Sequence, residues 1–149
     1  MTGTTPHVSY LVARLERGVR REVARVVEPR GLSVAQYTTL SILRSRDGLS
    51  NAQLARRLWV TPQSMNEVIS ALERAQLIRR VPDAANRRIL RTALTPAGAD
   101  LLAACDADIV AMEDALLADL SPAARSEFAE ALEVCAQRVG TMSSDRAAH

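Results

Sequence analysis

From Val8 to Val27 an apolar residue recurs every three or four positions: Val8, Leu11/Val12, Leu15, Val19, Val23 and Val26/Val27. That is the period of an amphipathic helix, and Pro29-Arg30-Gly31 stops it. Ser33 with Gln36 three residues on has capping-box spacing. It starts a helix carrying Val34, Tyr37, Leu40 and Leu43, which ends near Asp47-Gly48. Ser50 and Gln53 repeat the box before a short helix to about Leu58. Thr61-Pro62 then supplies a hydroxyl cap and a proline at the first helical position, where its missing N–H costs nothing. Met65, Val68, Ile69 and Leu72 form the stripe predicted to be buried, which leaves Gln63, Ser64, Asn66, Glu67 and Ser70 facing outward.

After Leu77-Ile78 the period shortens. Leu90, Thr92 and Leu94 alternate with Ile89, Arg91 and Ala93, as in a half-buried strand. Between this run and Arg79 lies a polar, arginine-rich tip. Thr95-Pro96-Ala97-Gly98 opens a long helix to about Leu120, with Leu101, Cys105, Ile109, Met112 and Leu116 along one stripe. Ser121-Pro122 caps a last helix bearing Phe128, Leu132, Cys135 and Val139, and residues 142–149 read as a frayed polar end. The expected fold is therefore mainly α with a small β-hairpin wing: a winged helix-turn-helix core over 33–95, flanked by helices over 8–30 and 96–140, all in one domain of 149 residues. The apolar stripes of the flanking helices exceed what so small a core can cover, which points to subunit pairing.

Charge sharpens this picture. The net charge is only +2, but residues 1–98 hold 16 arginines against 7 acidic residues, and residues 99–149 hold 3 against 10. A basic front and an acidic back suit a chain that turns one lobe to a polyanion. Gln, Ser, Asn and Glu on the outer face of the Thr61-Pro62 helix are side chains that hydrogen-bond base edges in the major groove. Duplex DNA is the predicted partner. No apolar run approaches the length of a membrane span, and residues 1–10 lack a signal-peptide pattern, so the expected compartment is the cytoplasm. Cys105 and Cys135 stand far apart without ligand spacing, and His7 and His149 lie near opposite ends. No metal site or cofactor is expected, nor an enzyme, since no nucleophile–base set or phosphate-cradling glycine loop is present.

With these elements in place the chain resembles the multiple-antibiotic-resistance (MarR) family of bacterial regulators, from about Val8 to Val139. The resemblance rests on Leu54-Ala55-x-x-Leu58, Thr61-Pro62-Gln63-Ser64-Met65, Leu72-Glu73-x-x-x-Leu77-Ile78, the wing, and Leu94-Thr95-Pro96-x-Gly98. It implies a homodimer paired through its first and last helices. Each recognition helix would enter a major groove of a pseudo-palindromic operator and each wing tip a minor groove. It also implies release of DNA by a small ligand. Two positions depart from the family pattern. The usual Asp-x-Arg of the wing is Asn86-Arg87-Arg88, which keeps the arginine as Arg88 but replaces its supporting carboxylate, for which Asp83 is a candidate substitute. Glu67 stands where many relatives place an arginine; it either accepts from cytosine N4 or pairs with a nearby arginine.

The candidate DNA contacts are Thr61, Gln63, Ser64, Asn66, Glu67, Ser70, Arg87 and Arg88. Within this set Thr61 serves mainly as cap, Arg88 for the minor groove and Arg87 for phosphate. Tyr10, Arg14 and Tyr37 are candidates for a phenolic or carboxylate ligand, against the plainer reading of a core tyrosine and a surface arginine. Trp59, in the turn, is read as a packing anchor. The cysteines are read as inert core, the alternative being a thiol-based oxidant sensor using Cys105 or Cys135. A second alternative is a winged helix that binds protein instead of DNA.

Overall fold

The computed structural model describes residues 6–147, with side chains described through Thr141. Two compact units divide the chain, Met1–Val110 and Ala111–His149. The first contains helix α1 (Val8–Val27), a 3-10 turn (Glu28–Arg30), α2 (Val34–Ser45), β1 (Leu49–Ser50), α3 (Asn51–Leu58), α4 (Pro62–Arg74), β2 (Ile78–Pro82), β3 (Leu90–Leu94) and most of α5 (Pro96–Leu116). The second holds the end of α5 and α6 (Pro122–Ala147).

Capping residues fix the helix starts as their spacing predicts. Ser33 and Gln36 form a reciprocal box at α2, and Ser50 and Gln53 form one at α3. Thr61 Oγ1 accepts from the Ser64 amide at 3.1 Å to start α4. Both α3 and α4 end in a left-handed residue that is not glycine. After α3, Val60 N–H reaches the Ala55 carbonyl at 3.1 Å, with Trp59 at φ 55°. After α4, Leu77 N–H reaches the Leu72 carbonyl at 3.0 Å, with Gln76 at φ 57°. Each is a Schellman closure, which satisfies carbonyls the helix end would leave unpaired. Trp59 is 58% exposed at the left-handed residue that closes α3, so it does not anchor packing.

The core lies between α2, α3, α4, the strands and the first half of α5. Leu40, Leu43, Leu54, Met65, Ile69, Leu72 and Leu102 are fully buried; each such side chain stabilises the fold by about 1.5–3 kcal/mol relative to exposure. The strands form one antiparallel sheet in the order β1-β3-β2, with Leu49 opposite Thr92 and Ile78 opposite Leu94. The two-residue β1 has no signature in the sequence. Its presence makes β3 the central strand, packed on α2 and α3. Simple alternation along β3 therefore fails. Thr92 and Ala93 are both buried at the root, whereas Leu90 is exposed where the hairpin leaves the core.

Thr95-Pro96-x-Gly98 has a steric reason. Thr95 N–H donates to the Leu77 carbonyl at 3.1 Å, and Thr95 Oγ1 donates to the Gln76 carbonyl at 2.7 Å and caps Gly98 N–H at 3.1 Å. A Cβ on Gly98 would stand 2.2 Å from the Leu77 carbonyl oxygen. Only glycine lets α5 start this close to the end of α4.

On α1 only Val27 is buried, and Val8 is 74% exposed. In the second unit Ser121 Oγ caps Ala124 N–H at 3.2 Å, and Arg125 pairs with Asp114 at 3.1 Å across the α5–α6 turn. The stripe Leu132, Cys135 and Val139 is exposed. Cys135 is thus not a core residue of the single chain, contrary to expectation, because nothing in its own unit covers that face of α6. Cys105 is buried as expected. The α6 backbone stays helical to Ala147, into the stretch read as frayed, and His149 lies outside the described residues.

Gly98→Ala should lower unfolding stability by about 1–3 kcal/mol through overpacking. Urea unfolding measures this, and an unchanged midpoint would contradict the close approach.

Candidate nucleic-acid interface

The recognition surface follows from how α4 is held. Met65, Ile69 and Leu72 face the core, so Gln63, Ser64, Asn66 and Glu67 are exposed on the other side and Ser70 is half-buried. Thr61 is committed locally: its hydroxyl accepts from the Ser64 amide and donates to Ser64 Oγ at 3.0 Å. Ser64 keeps a hydroxyl proton, and among the described residues Gln63, Asn66 and Glu67 keep all their side-chain hydrogen-bonding capacity. Of the two readings of Glu67, the internal pair does not form: among the described residues its carboxylate meets no arginine. Asn51 on α3 ties down the start of α4 by donating Nδ2 to the Pro62 carbonyl at 3.0 Å.

The wing is organised from its base. Asp83 Oδ1 accepts from the Ala85 and Asn86 amides at 2.9 Å each, and Oδ2 accepts from Arg91 Nε at 2.7 Å. Arg91 Nη1 continues to Gln53 Oε1 on α3 at 3.1 Å. Asp83 therefore folds the loop and engages Arg91; it does not support the Arg88 guanidinium. Asn86 Oδ1 accepts from the Arg88 backbone N–H at 3.2 Å, fixing that backbone and not the side chain. Arg87 and Arg88 are exposed and form no ion pair among the described residues. Glu73 at the end of α4 binds Arg80 of β2 through Nε at 2.9 Å and through Nη2, joining recognition helix to wing.

Spacing did not reveal Arg91, which alternation marks only as one of the solvent-side positions of β3. Exposed Arg56 and Arg57 in the last turn of α3 add cationic surface beside the same turn. The Asp83 carboxyl lies below its ordinary value, first because of Arg91 and then because of the Asn86 and Ala85 amides. Arg80 lowers Glu73 likewise.

Tyr10 and Arg14 are exposed a turn apart on α1, and Tyr37 is half-buried on α2. No hydrogen bond joins the three among the described residues. Arg44, seven residues after Tyr37, is held by Asp106 of α5 at 2.8 Å. Burial raises the Cys105 thiol above its ordinary value, which disfavours the reactive thiolate. No group of three or more His, Cys, Asp or Glu suited to a metal occurs among the described residues. No helix there is long and apolar enough to cross a membrane.

Two helices closed by a tight turn, followed by an antiparallel hairpin tied to both, define a winged helix-turn-helix protein. Residues 32–90 match the MarR family. The HTH-type transcriptional repressor Rv2887 of Mycobacterium tuberculosis is 35% identical over 126 residues, covering 85% of this chain and 91% of that protein. The chain belongs to the MarR family. The solved structure of the mycobacterial protein in complex with DNA superposes with a TM-score of 0.72 at 34% identity, covering 88% of this chain and 98% of that one. Its complex with salicylic acid gives 0.71 at 33% identity, covering 91% and 99%.

Because the folded Asp83 value is depressed, its contribution to wing order is full above the unfolded value of about 4 and is lost as pH falls through the lower folded value. The protection of the Ala85 and Asn86 amides, taken relative to their intrinsic exchange rates, should fall in that acid window. Asp83→Asn should abolish this pH dependence; a variant that retained it would show that another group is responsible.

Proposed function

We propose that this chain is a homodimeric, sequence-specific DNA-binding transcription regulator, a repressor that leaves a pseudo-palindromic operator when a small phenolic or carboxylate ligand binds. One observation carries the DNA reading. Gln63, Ser64, Asn66 and Glu67 are exposed on one face of α4, and beyond the Thr61–Ser64 cap their side chains find no hydrogen-bond partner among the described residues. Beside them, Arg87 and Arg88 are exposed on the wing tip and form no ion pair among the described residues. Gln63 and Asn66 suit adenine, Glu67 suits cytosine N4, and Ser64 and Ser70 suit either a base or a phosphate. Arg88 serves a narrow minor groove, where negative potential is concentrated, and Arg87 serves a phosphate. The solved DNA complex of the mycobacterial relative supports the same reading.

Burial supports the domain assignment. Residues 33–95 form the DNA-reading core. Residues 8–30 and 96–140 form the dimerisation helices; the first half of α5 also joins the core through Leu102, Cys105 and Ile109, whereas apolar residues of α1 and α6 stay open in the single chain, Val8 at 74% and Val134 at 65% exposure. The salicylic acid complex of the relative favours a phenolic carboxylate as the ligand, with Tyr10, Arg14 and Tyr37 as its candidate contacts. Exposed Cys135 favours an oxidant-responsive variant of this function, for which buried Cys105 is unsuited; a Cys135→Ser protein that still lost DNA on peroxide treatment would eliminate it.

Selection from a random duplex pool tests the main reading. The expected product is two half-sites about 10 base pairs apart, bound with steep salt dependence and weakened by millimolar salicylate. Leu132→Glu should shift sedimentation from dimer to monomer and reduce operator affinity. A pool that yields no preferred sequence overturns DNA reading, and an undisturbed Leu132→Glu dimer overturns the assignment of the last helix.

A further inference from the structure

Two links leave the first turn of α3 in different directions. Asn51 Nδ2 reaches the Pro62 carbonyl at the start of α4 at 3.0 Å. Gln53 Oε1 accepts from its own cap residue's amide, Ser50 N–H, at 2.9 Å and from Arg91 Nη1 at 3.1 Å. Arg91 Nε then binds Asp83 Oδ2 at 2.7 Å, while Asp83 Oδ1 takes the Ala85 and Asn86 amides. The two sets of hydrogen bonds, joined by the backbone of the first turn of α3, thus link the start of the recognition helix to the wing loop. The Arg91 and Asp83 side chains are 32% and 19% exposed, so solvent screens this pair less than a fully exposed one. On the tip itself nothing comparable is available: Asn86 is uncharged, and it engages Arg88 only through the backbone.

We propose that Arg91, held between Asp83 and Gln53, is the positioning residue that sets the wing tip against α4, so that Arg88 meets the minor groove in register with the helix in the major groove. The proposal rests on the DNA reading above. Its physical basis is the tolerance of paired contacts: two reading elements on one rigid duplex must be held to within about 0.5 Å of their productive geometry. A tip carried on a two-stranded hairpin needs a tie at its base to meet that condition. In this chain the wing carboxylate Asp83 pairs with Arg91 of β3, while Arg88 keeps its place at the tip and meets Asn86 only through its backbone.

The competing account is that Arg91 simply adds positive charge near a phosphate. Asp83→Asn separates the two. It removes a negative charge beside the duplex, so electrostatics alone predicts tighter binding. Loss of the tie predicts weaker and less selective binding, although the amide oxygen can still accept from the loop. The probe is the duplex that the full-length parent selects from a random pool, with a second version whose flanking A·T steps beneath the wings are replaced by G·C. Asp83→Asn and Arg91→Gln should each weaken binding about fivefold or more, a coupling usual within one hydrogen-bonded network. Both should flatten the preference for A·T flanks while leaving the central half-site preference intact. The double variant should lose little beyond either single one, and Arg91→Lys should recover part of the flank preference.

Thermal unfolding and Trp59 fluorescence establish that each variant is folded. Should Arg91→Gln fail there, the carboxyl-to-amide change at Asp83 carries the test. An Asp83→Asn protein that binds as tightly as the parent or more tightly, with flank preference intact, overturns the proposal, as do additive losses in the double variant. A parent that selects no duplex overturns the DNA reading and this proposal with it, so the two failures are distinguishable.

Discussion

The site depends on one constraint, the burial of a single stripe on α4. Met65, Ile69 and Leu72 are each at most 1% exposed, and each is worth about 1.5–3 kcal/mol in the core. A helix turned by one residue would expose part of that stripe, a loss comparable to the whole stability of a small domain, about 5–15 kcal/mol. The outward set Gln63, Ser64, Asn66 and Glu67 is therefore fixed by the inward one. Both ends are also fixed, by Thr61 at the start and by the turn through Gln76 to Leu77 at the finish.

From that helix the rest of the surface is placed by short polar ties. Glu73 holds Arg80 on β2, and the Leu77 carbonyl receives Thr95 and excludes any side chain at position 98. The wing is thus attached to the end of α4 at its root and to α3 through Arg91. Among the described residues the Arg87 and Arg88 side chains at its tip form no ion pair, as suits arginines whose proposed partners lie outside the chain. Charge follows the same division, with basic residues concentrated before Gly98 and acidic ones after it.

Much of this was legible in the sequence because the signals are local. The two capping boxes, the Thr-Pro starts and the apolar stripe of α4 depend on residues three or four apart, and they formed as read except that Val68 of the stripe is only half-buried. Interactions that join distant positions were not legible. Gln53 and Arg91 are 38 residues apart, and no periodicity marks them as partners. The short β1 is made by its pairing with β3, so its residues read only as part of a cap. Trp59 shows the limit of residue type as a guide, since hydrophobicity suggested packing whereas the residue stands exposed at the left-handed close of α3. The exposed stripes of α1 and α6 were visible as periodicity, but the single chain does not supply what covers them. At the candidate site the outward α4 residues were found by subtraction, whereas the role of Asp83 required the geometry of the loop.

Base reading by the outer face of α4, with the wing tip in the adjacent minor groove, is most directly tested by methylation interference on the duplex that the protein selects. The predicted result is binding blocked by methylation at major-groove guanine N7 within both half-sites and at minor-groove adenine N3 in the flanks beneath the wings. Interference that is uniform along the duplex, or absent from the major groove, would contradict it.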